Sequence, residues 1–142
     1  MKKAISSNVS IDIDAPKSKV WDALTNPEQI KKYLFGTQTS SDWKVGSPIT
    51  FKGEWEGKAY EDKGTILQIE EAKILKYNYW SSMSNLKDEP DNYQIITYVL
   101  DDRDSKTRLS IVQENCASDE TREHSESNWK YVLETMKTML EK

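Results

Sequence analysis

Residues 16–34 read PKSKVWDALTNPEQIKKYL and hold two helix starts in one short stretch. Pro16 suits the first helical position, where its missing N–H costs nothing, and Val20, Trp21 and Leu24 follow as an apolar stripe at i, i+1 and i+4. The helix then stops and restarts. Asn26 reads as a cap, Pro27 as the first turn, and Gln29 as the residue that can reach back in a capping box. Ile30, Tyr33 and Leu34 supply the inner face of this second helix, while Trp21 is expected to lock the first one against the fold.

Upstream, residues 4–14 alternate. Val9, Ile11 and Ile13 point one way and Ser10, Asp12 and Asp14 the other, which predicts a strand with one wet face. Downstream, residues 36–47 read as a loop carrying Trp43, with Gly36 and Gly46 as breakers. Strand-like runs follow at 48–55, 59–70, 73–82, 92–102 and 106–115, most of them joined by short turns. Consecutive strands on short turns imply an antiparallel meander. The 82–91 connection, SMSNLKDEPD, is longer and polar and is expected to move.

The chain closes on a helix predicted for residues 120–141. Trp129, Val132, Leu133, Met136 and Leu140 line one side at helical spacing, and Lys130, Glu134, Lys137 and Glu141 line the other. Asp119, Glu120 and Glu123 sit near its start, where the helix dipole favours anions. The apolar stripe needs a cover, and only the sheet is large enough to provide one. The order of segments therefore describes one α+β domain over residues 1–142: a curved antiparallel sheet of six strands closed by a C-terminal helix, with a cavity between them.

Composition narrows the function. The net charge is −4 and no run of Lys and Arg forms a basic stripe, which argues against nucleic-acid binding. No apolar stretch approaches a membrane span, and MKKAISSNVS lacks a signal-peptide core. The single cysteine, Cys116, rules out an internal disulfide and points to a reducing cytoplasm. Five Trp and seven Tyr stand against two Phe. Buried Trp and Tyr need partners for N–H and O–H, so they suit walls that are apolar but not dry.

The stretch APKSKVWDALTNPEQIKKY, with WKVGSPITF (43–51), KGTILQIEEAKILKYNYW (63–80), TRLSIVQEN (107–115) and the tryptophan-bearing last helix, resembles the START-like, Bet v 1-like helix-grip superfamily. Within it, the chain is most similar to the domain related to the activator of Hsp90 ATPase. The resemblance covers essentially the whole chain. It implies a β-α-α-β5-α helix-grip fold and a ligand cavity between the sheet and the last helix. Members bind lipids, sterols, polyketides and other apolar or aromatic molecules, and some are cyclases or related enzymes.

The residues offer little for catalysis. His124, in TREHSESN, reads as a solvated helix residue, and Cys116 as an inert junction residue. One His and one Cys are too few for a zinc site or a nucleophile–base set, so no catalytic residue, metal or cofactor is expected. There is no GxGxxG, GxxxxGK[ST] or GxSxG. Asp12, Asp14, Glu70 and Glu71 read as outward-facing. Glu54, Glu56 and Glu61 flank a turn, where they either reach the cavity mouth or guard a strand edge.

The aromatic residues are the better candidates. Trp43, Phe51, Tyr60, Tyr77, Tyr79, Trp80, Tyr93, Tyr98 and Trp129, with Leu133 and Met136 from the last helix, are the expected cavity set. Each either lines a pocket or packs an ordinary core. Where both faces of a run are apolar, parity is undecided: Tyr77 and Tyr79 lie on one side and Trp80 on the other. About 300 Å³ of dry empty space would cost roughly 7 kcal/mol at about 24 cal/mol per Å³. A cavity must therefore be wet, occupied, or narrowed by its own Trp and Tyr side chains, and a modest, partly self-filled pocket is expected.

The reading that follows is non-catalytic binding of a small hydrophobic or aromatic molecule, by a monomer or weak homodimer. Two alternatives stay open. One is a stress-response interaction protein with a chaperone as partner. The other is a cyclase- or hydrolase-type enzyme using a pocket Glu or Tyr.

Overall fold

The computed structural model describes residues 5–34, 36–55, 57–81, 87–116 and 118–141. In chain order the elements are β1 (Ser7–Ile13), α1 (Lys17–Thr25), α2 (Pro27–Tyr33), β2 (Gln38–Ser41), β3 (Pro48–Trp55), β4 (Lys58–Glu70), β5 (Ile74–Tyr79), a short 3-10 turn (Pro90–Asn92), β6 (Gln94–Arg103), β7 (Lys106–Glu114) and α3 (Asp119–Leu140). The strands form one sheet in the order β1-β7-β6-β5-β4-β3-β2, with every neighbouring pair antiparallel. The meander runs from β2 to β7, and β1 joins it across the two helices.

The sheet has seven strands where six were expected. The extra one, QTSS, falls in the stretch read as a loop. It has no apolar alternation to announce it, and it is a strand because it pairs along β3 from Gln38↔Lys52 to Ser41↔Ile49. Half of the 82–91 connection, residues 82–86, lies outside the described residues, as does Glu56.

Local rules account for the tandem helices. Pro16 stands at the N-cap of α1 with extended backbone. The Asn26 side chain accepts from the Glu28 N–H at 3.0 Å, and Pro27 opens α2. Val20, Ala23, Leu24, Ile30 and Tyr33 are buried beneath the pair, and Trp21 packs against that core.

One face of the sheet is the core face. Val9, Ile13, Ile49, Phe51, Ile66, Leu75, Tyr77, Ile96, Tyr98, Leu100, Leu109 and Ile111 are buried there, against Trp129, Val132, Leu133, Met136 and Leu140 of α3. This resolves the open parity. Tyr77 and Tyr79 face inward, as do Ile96 and Tyr98, while Ile95 and Val99 are half-buried on the opposite side. Trp80 lies on that opposite side, in a bridge with Lys63 whose ammonium sits 5.7 Å from the indole centroid.

Both ends of α3 are tied down. Ser118 caps the first turn by accepting from the Thr121 N–H at 3.1 Å. At the other end, the Glu141 carboxylate accepts from the Asp14 N–H at 2.8 Å and from the Lys137 ammonium. The Lys137 ammonium also reaches the Asp12 carbonyl at 3.3 Å. The helix is thereby clamped along β1, and its C-terminal half is buried against the core there.

Candidate functional site

The N-terminal half of α3 does not fill the space beneath it. A cavity of about 660 Å³ lies between that half-helix, the ends of β3 to β7, and the segment after α2. The sheet contributes Phe51, Tyr77, Tyr79, Ile96 and Gln113, and α3 contributes His124, Ser125, Asn128 and Trp129. Leu34 and Thr37 close one side, and Glu54, Tyr60 and Asp62 come from the β3–β4 hairpin. Glu54, His124 and Asn128 are exposed and form its rim.

The walls are rings held edge to face. Phe51 lies 5.8 Å from Tyr77 and 5.7 Å from Tyr79, centroid to centroid, and Tyr98 stands 5.8 Å from Tyr77 and 6.0 Å from Trp129. These are the offset and T-shaped arrangements that ring quadrupoles favour. Each polar tip has a partner. The Trp129 Nε1–H donates to Gln113 Oε1 at 2.7 Å, and the Gln113 amide donates to Gln94 Oε1 at 2.6 Å. The Tyr77 and Tyr98 hydroxyls pair at 2.8 Å, those of Thr37 and Tyr60 at 2.6 Å, and the Tyr79 hydroxyl donates to Asp62 Oδ2 at 2.5 Å. The ring positions are thus set by hydrogen bonds as well as by packing.

Tyr77, Tyr79 and Tyr98 remain phenols. Burial pushes Tyr77 well above the ordinary value, with the neighbouring Tyr98 adding to it, and burial pushes Tyr98 up to about 12. Tyr79 rises well above the usual range through burial and then the Asp62 charge. None is poised to act as a base near neutrality. Cys116 is buried, its thiol donating weakly to the Gln113 carbonyl at 3.5 Å, and burial pushes its pKa up, against a reactive thiolate. Among the described residues no group of three or more His, Cys, Asp or Glu could hold a metal ion, and no helix is long and apolar enough to cross a membrane.

Of the expected cavity set, Phe51, Tyr60, Tyr77, Tyr79 and Trp129 line the space. The other six do not. Trp43 packs under α2 beside Leu24, Ile30 and Ile49, around a gap of about 10 Å³. Tyr98 borders that same gap behind Tyr77. Leu133 and Met136 lie one and two turns beyond Trp129, where α3 already touches the sheet, and both are 1% exposed. Trp80 and Tyr93 belong to the outer side. There the Tyr93 hydroxyl donates to Asp88 at 2.5 Å, and Asp88 also holds Lys63.

Sequence reasoning missed Asp62, Thr37 and Gln113, and read His124 as a purely solvated residue. For Asp62 a signal existed. Positions 60, 62, 64 and 66 share a strand face, so Ile66 on the core side turns Asp62 inward, 7% exposed. Gln113 follows Leu109 and Ile111 by the same parity. The space is also larger than the modest, self-filled pocket expected, because the Trp and Tyr side chains pack against one another along the wall.

A curved antiparallel sheet, two short helices at one end and a long helix over its concave face define the helix-grip class of protein. Residues 14–141 match the Activator of Hsp90 ATPase homolog 1-like protein family, and the chain belongs to that family. It is similar to the ChR145 protein of Cytophaga hutchinsonii, with 46% identity over 99% of this chain and 97% of that one, at a TM-score of 0.86. More distant structures share the fold. An Aha1 protein of Colwellia psychrerythraea, solved as a dimer, has 22% identity over 96% of each chain at a TM-score of 0.75. CalU16 of Micromonospora echinospora has 18% identity over 98% of this chain and 82% of its own, also at 0.75. No curated protein matches the chain.

Proposed function

We infer that this protein binds a small hydrophobic or aromatic molecule in the cavity between the sheet and α3, without transforming it. The observation that carries the reading is an open space of about 660 Å³ walled by Phe51, Tyr77, Tyr79 and Trp129. That volume falls within the roughly 300–1,000 Å³ of ligand pockets. The ring faces supply contact area, and the hydrogen-bonded tips fix the walls before a ligand arrives, which lowers the ordering cost of binding. Burial raises the phenols of Tyr77 and Tyr79 well above the ordinary value, and this favours a binding site over acid–base chemistry.

Native mass spectrometry of freshly purified protein tests it, together with a thermal-shift screen of apolar and aromatic metabolites. A co-purified mass, or a rise of several degrees in melting temperature that Trp129→Ala abolishes, supports the reading. A broad screen with neither result refutes it.

Membership of the chaperone-activator family favours a second reading, association with a chaperone in a stress response. Its test is the chaperone's ATPase rate with this protein in excess, and an unchanged rate removes it. The single cysteine suits a reducing cytoplasm in either case. The functional unit is taken as a monomer or weak homodimer, which sedimentation across a concentration series distinguishes.

A further inference from the structure

The ionisable side chains that line the cavity are not balanced in charge. Apart from its tyrosines they are Asp62, Glu54 and His124, and among the described lining residues there is no Lys or Arg. Asp62 is the deeper carboxylate, 7% exposed, and Glu54 stands at the rim. A site built for a fatty acid or another anionic amphiphile needs a cation at the head-group position, and this wall has two carboxylates instead.

The hydrogen-bond inventory points the same way. The Tyr79 O–H is committed to Asp62, and the Trp129 N–H to Gln113. The Gln113 amide donates to Gln94, and one O–H of the Thr37–Tyr60 pair is held within that pair. The Asp62 end presents carboxylate and phenol oxygens, since a carboxylate only accepts and a phenol that donates its proton still carries lone pairs, while the donors of Ser125 and Asn128 stand on α3 across the cavity. Around this end lie Phe51, Tyr77 and Tyr79, whose faces attract cations by their quadrupoles.

We propose that the cavity selects an amphiphile with an aromatic or apolar body and a protonated amine, seated with its ammonium toward Asp62, and discriminates against carboxylates. The proposal rests on the pocket reading above and adds the sign of the ligand's charge to it. Complementary charge in a partly desolvated pocket discriminates strongly, because the wrong sign is repelled as well as unpaired.

Three probes of one shape test it: naphthalenemethylamine, naphthalenemethanol and naphthalenecarboxylate. Each is titrated into the full chain, with affinity read by calorimetry and location by the amide NMR shifts of Phe51, Tyr77 and Trp129. The amine is expected to bind about tenfold tighter than the carboxylate, a gap of about 1.4 kcal/mol, with the alcohol between them. Asp62→Asn should bring the amine-to-alcohol affinity ratio close to one. Glu54→Gln, at an exposed position where folding is not at stake, should cut that ratio by about twofold, the scale of a rim charge. The preference should also shrink as salt is raised.

A carboxylate that binds as tightly as the amine, while the alcohol still shifts the cavity amides, overturns this proposal and leaves the pocket standing. An amine preference that survives both substitutions overturns it as well. If none of the three probes moves those amides, the pocket reading fails and this one with it.

Discussion

At Gly53 the missing side chain is occupied by a neighbour. A Cβ there would fall 2.5 Å from the Tyr60 hydroxyl and 2.7 Å from its ring carbon, because Tyr60 is the cross-strand partner of Gly53 and lies over it. Gly53→Ala should therefore swing the ring and break the Thr37–Tyr60 hydroxyl pair at the cavity wall, at a cost of about 1–2 kcal/mol. Gly64 is the harder case. A Cβ there collides with the Asn78 carbonyl oxygen, which is backbone and cannot swing away. Its neighbour Thr65 already donates its N–H to Asn78 Oδ1 at 2.6 Å. Gly64→Ala should cost about 3 kcal/mol or more. Urea denaturation of the two variants checks the order, and equal losses would contradict the difference between a mobile ring and a fixed backbone.

At the scale of the element, α3 has two jobs divided along its length. Its C-terminal half is core, so Leu133→Ala should lose about 2–5 kcal/mol. Its N-terminal half borders the cavity, so Asn128→Ala should stay within about 0.5 kcal/mol of the parent, as exposed positions usually do, while altering ligand affinity. Ser118→Ala removes the cap on Thr121 and should cost about 1 kcal/mol. Chemical denaturation separates the three. The helical stripe was plain in the sequence, since an apolar residue recurs every third or fourth position from Trp129 to Leu140. The point along α3 at which contact gives way to a cavity was only half legible: the apolar stripe begins at Trp129, but the polar stretch DETREHSESN before it reads equally well as an end of the helix lying in solvent. Asp62 was legible in principle, through the parity it shares with Ile66. Thr37 was not, since it belongs to a polar stretch with no period to read.

The whole molecule responds to pH at both extremes. Hydrogen bonding from Arg108 lowers the Asp12 pKa, and that from Lys137 lowers the Glu141 pKa. Lys31 likewise lowers Glu28, and Lys63 lowers Asp88. A folded pKa below the unfolded one adds stability that is present above the unfolded value, about 4, and is lost as pH falls through the folded one. Stability should decline below about pH 4, and Asp12→Asn should flatten that decline. The tyrosines act with the opposite sign. Tyr33, Tyr77, Tyr79 and Tyr98 are all raised by burial, so their contribution is complete below the ordinary phenol value of about 10 and fades as pH rises through the folded ones. Ultraviolet titration should show Tyr98 still protonated at about pH 11 in the folded protein, its phenol being pushed up to about 12, with Tyr33, Tyr77 and Tyr79 ionising above the ordinary phenol value. Full ionisation at that pH without unfolding would contradict the buried ring wall.

Periodicity and punctuation, both local properties, are written in the sequence by itself. They determined the tandem helices, the five strand runs of the meander, the first strand and the closing helix. Whatever depends on which surface meets which was decided in the tertiary structure. Period-2 alternation says that Tyr77 and Trp80 lie on opposite faces, but only the docking of α3 makes one of those faces the inside. QTSS became a strand because β3 offered an unpaired edge, which no property of those four residues could announce. The cavity exists because α3 is clamped along β1 at its C-terminal end, with its first turns lying over ring edges that already lean on one another. Its acidic lining follows from the same step, which turned Asp62 inward with the face that α3 covers.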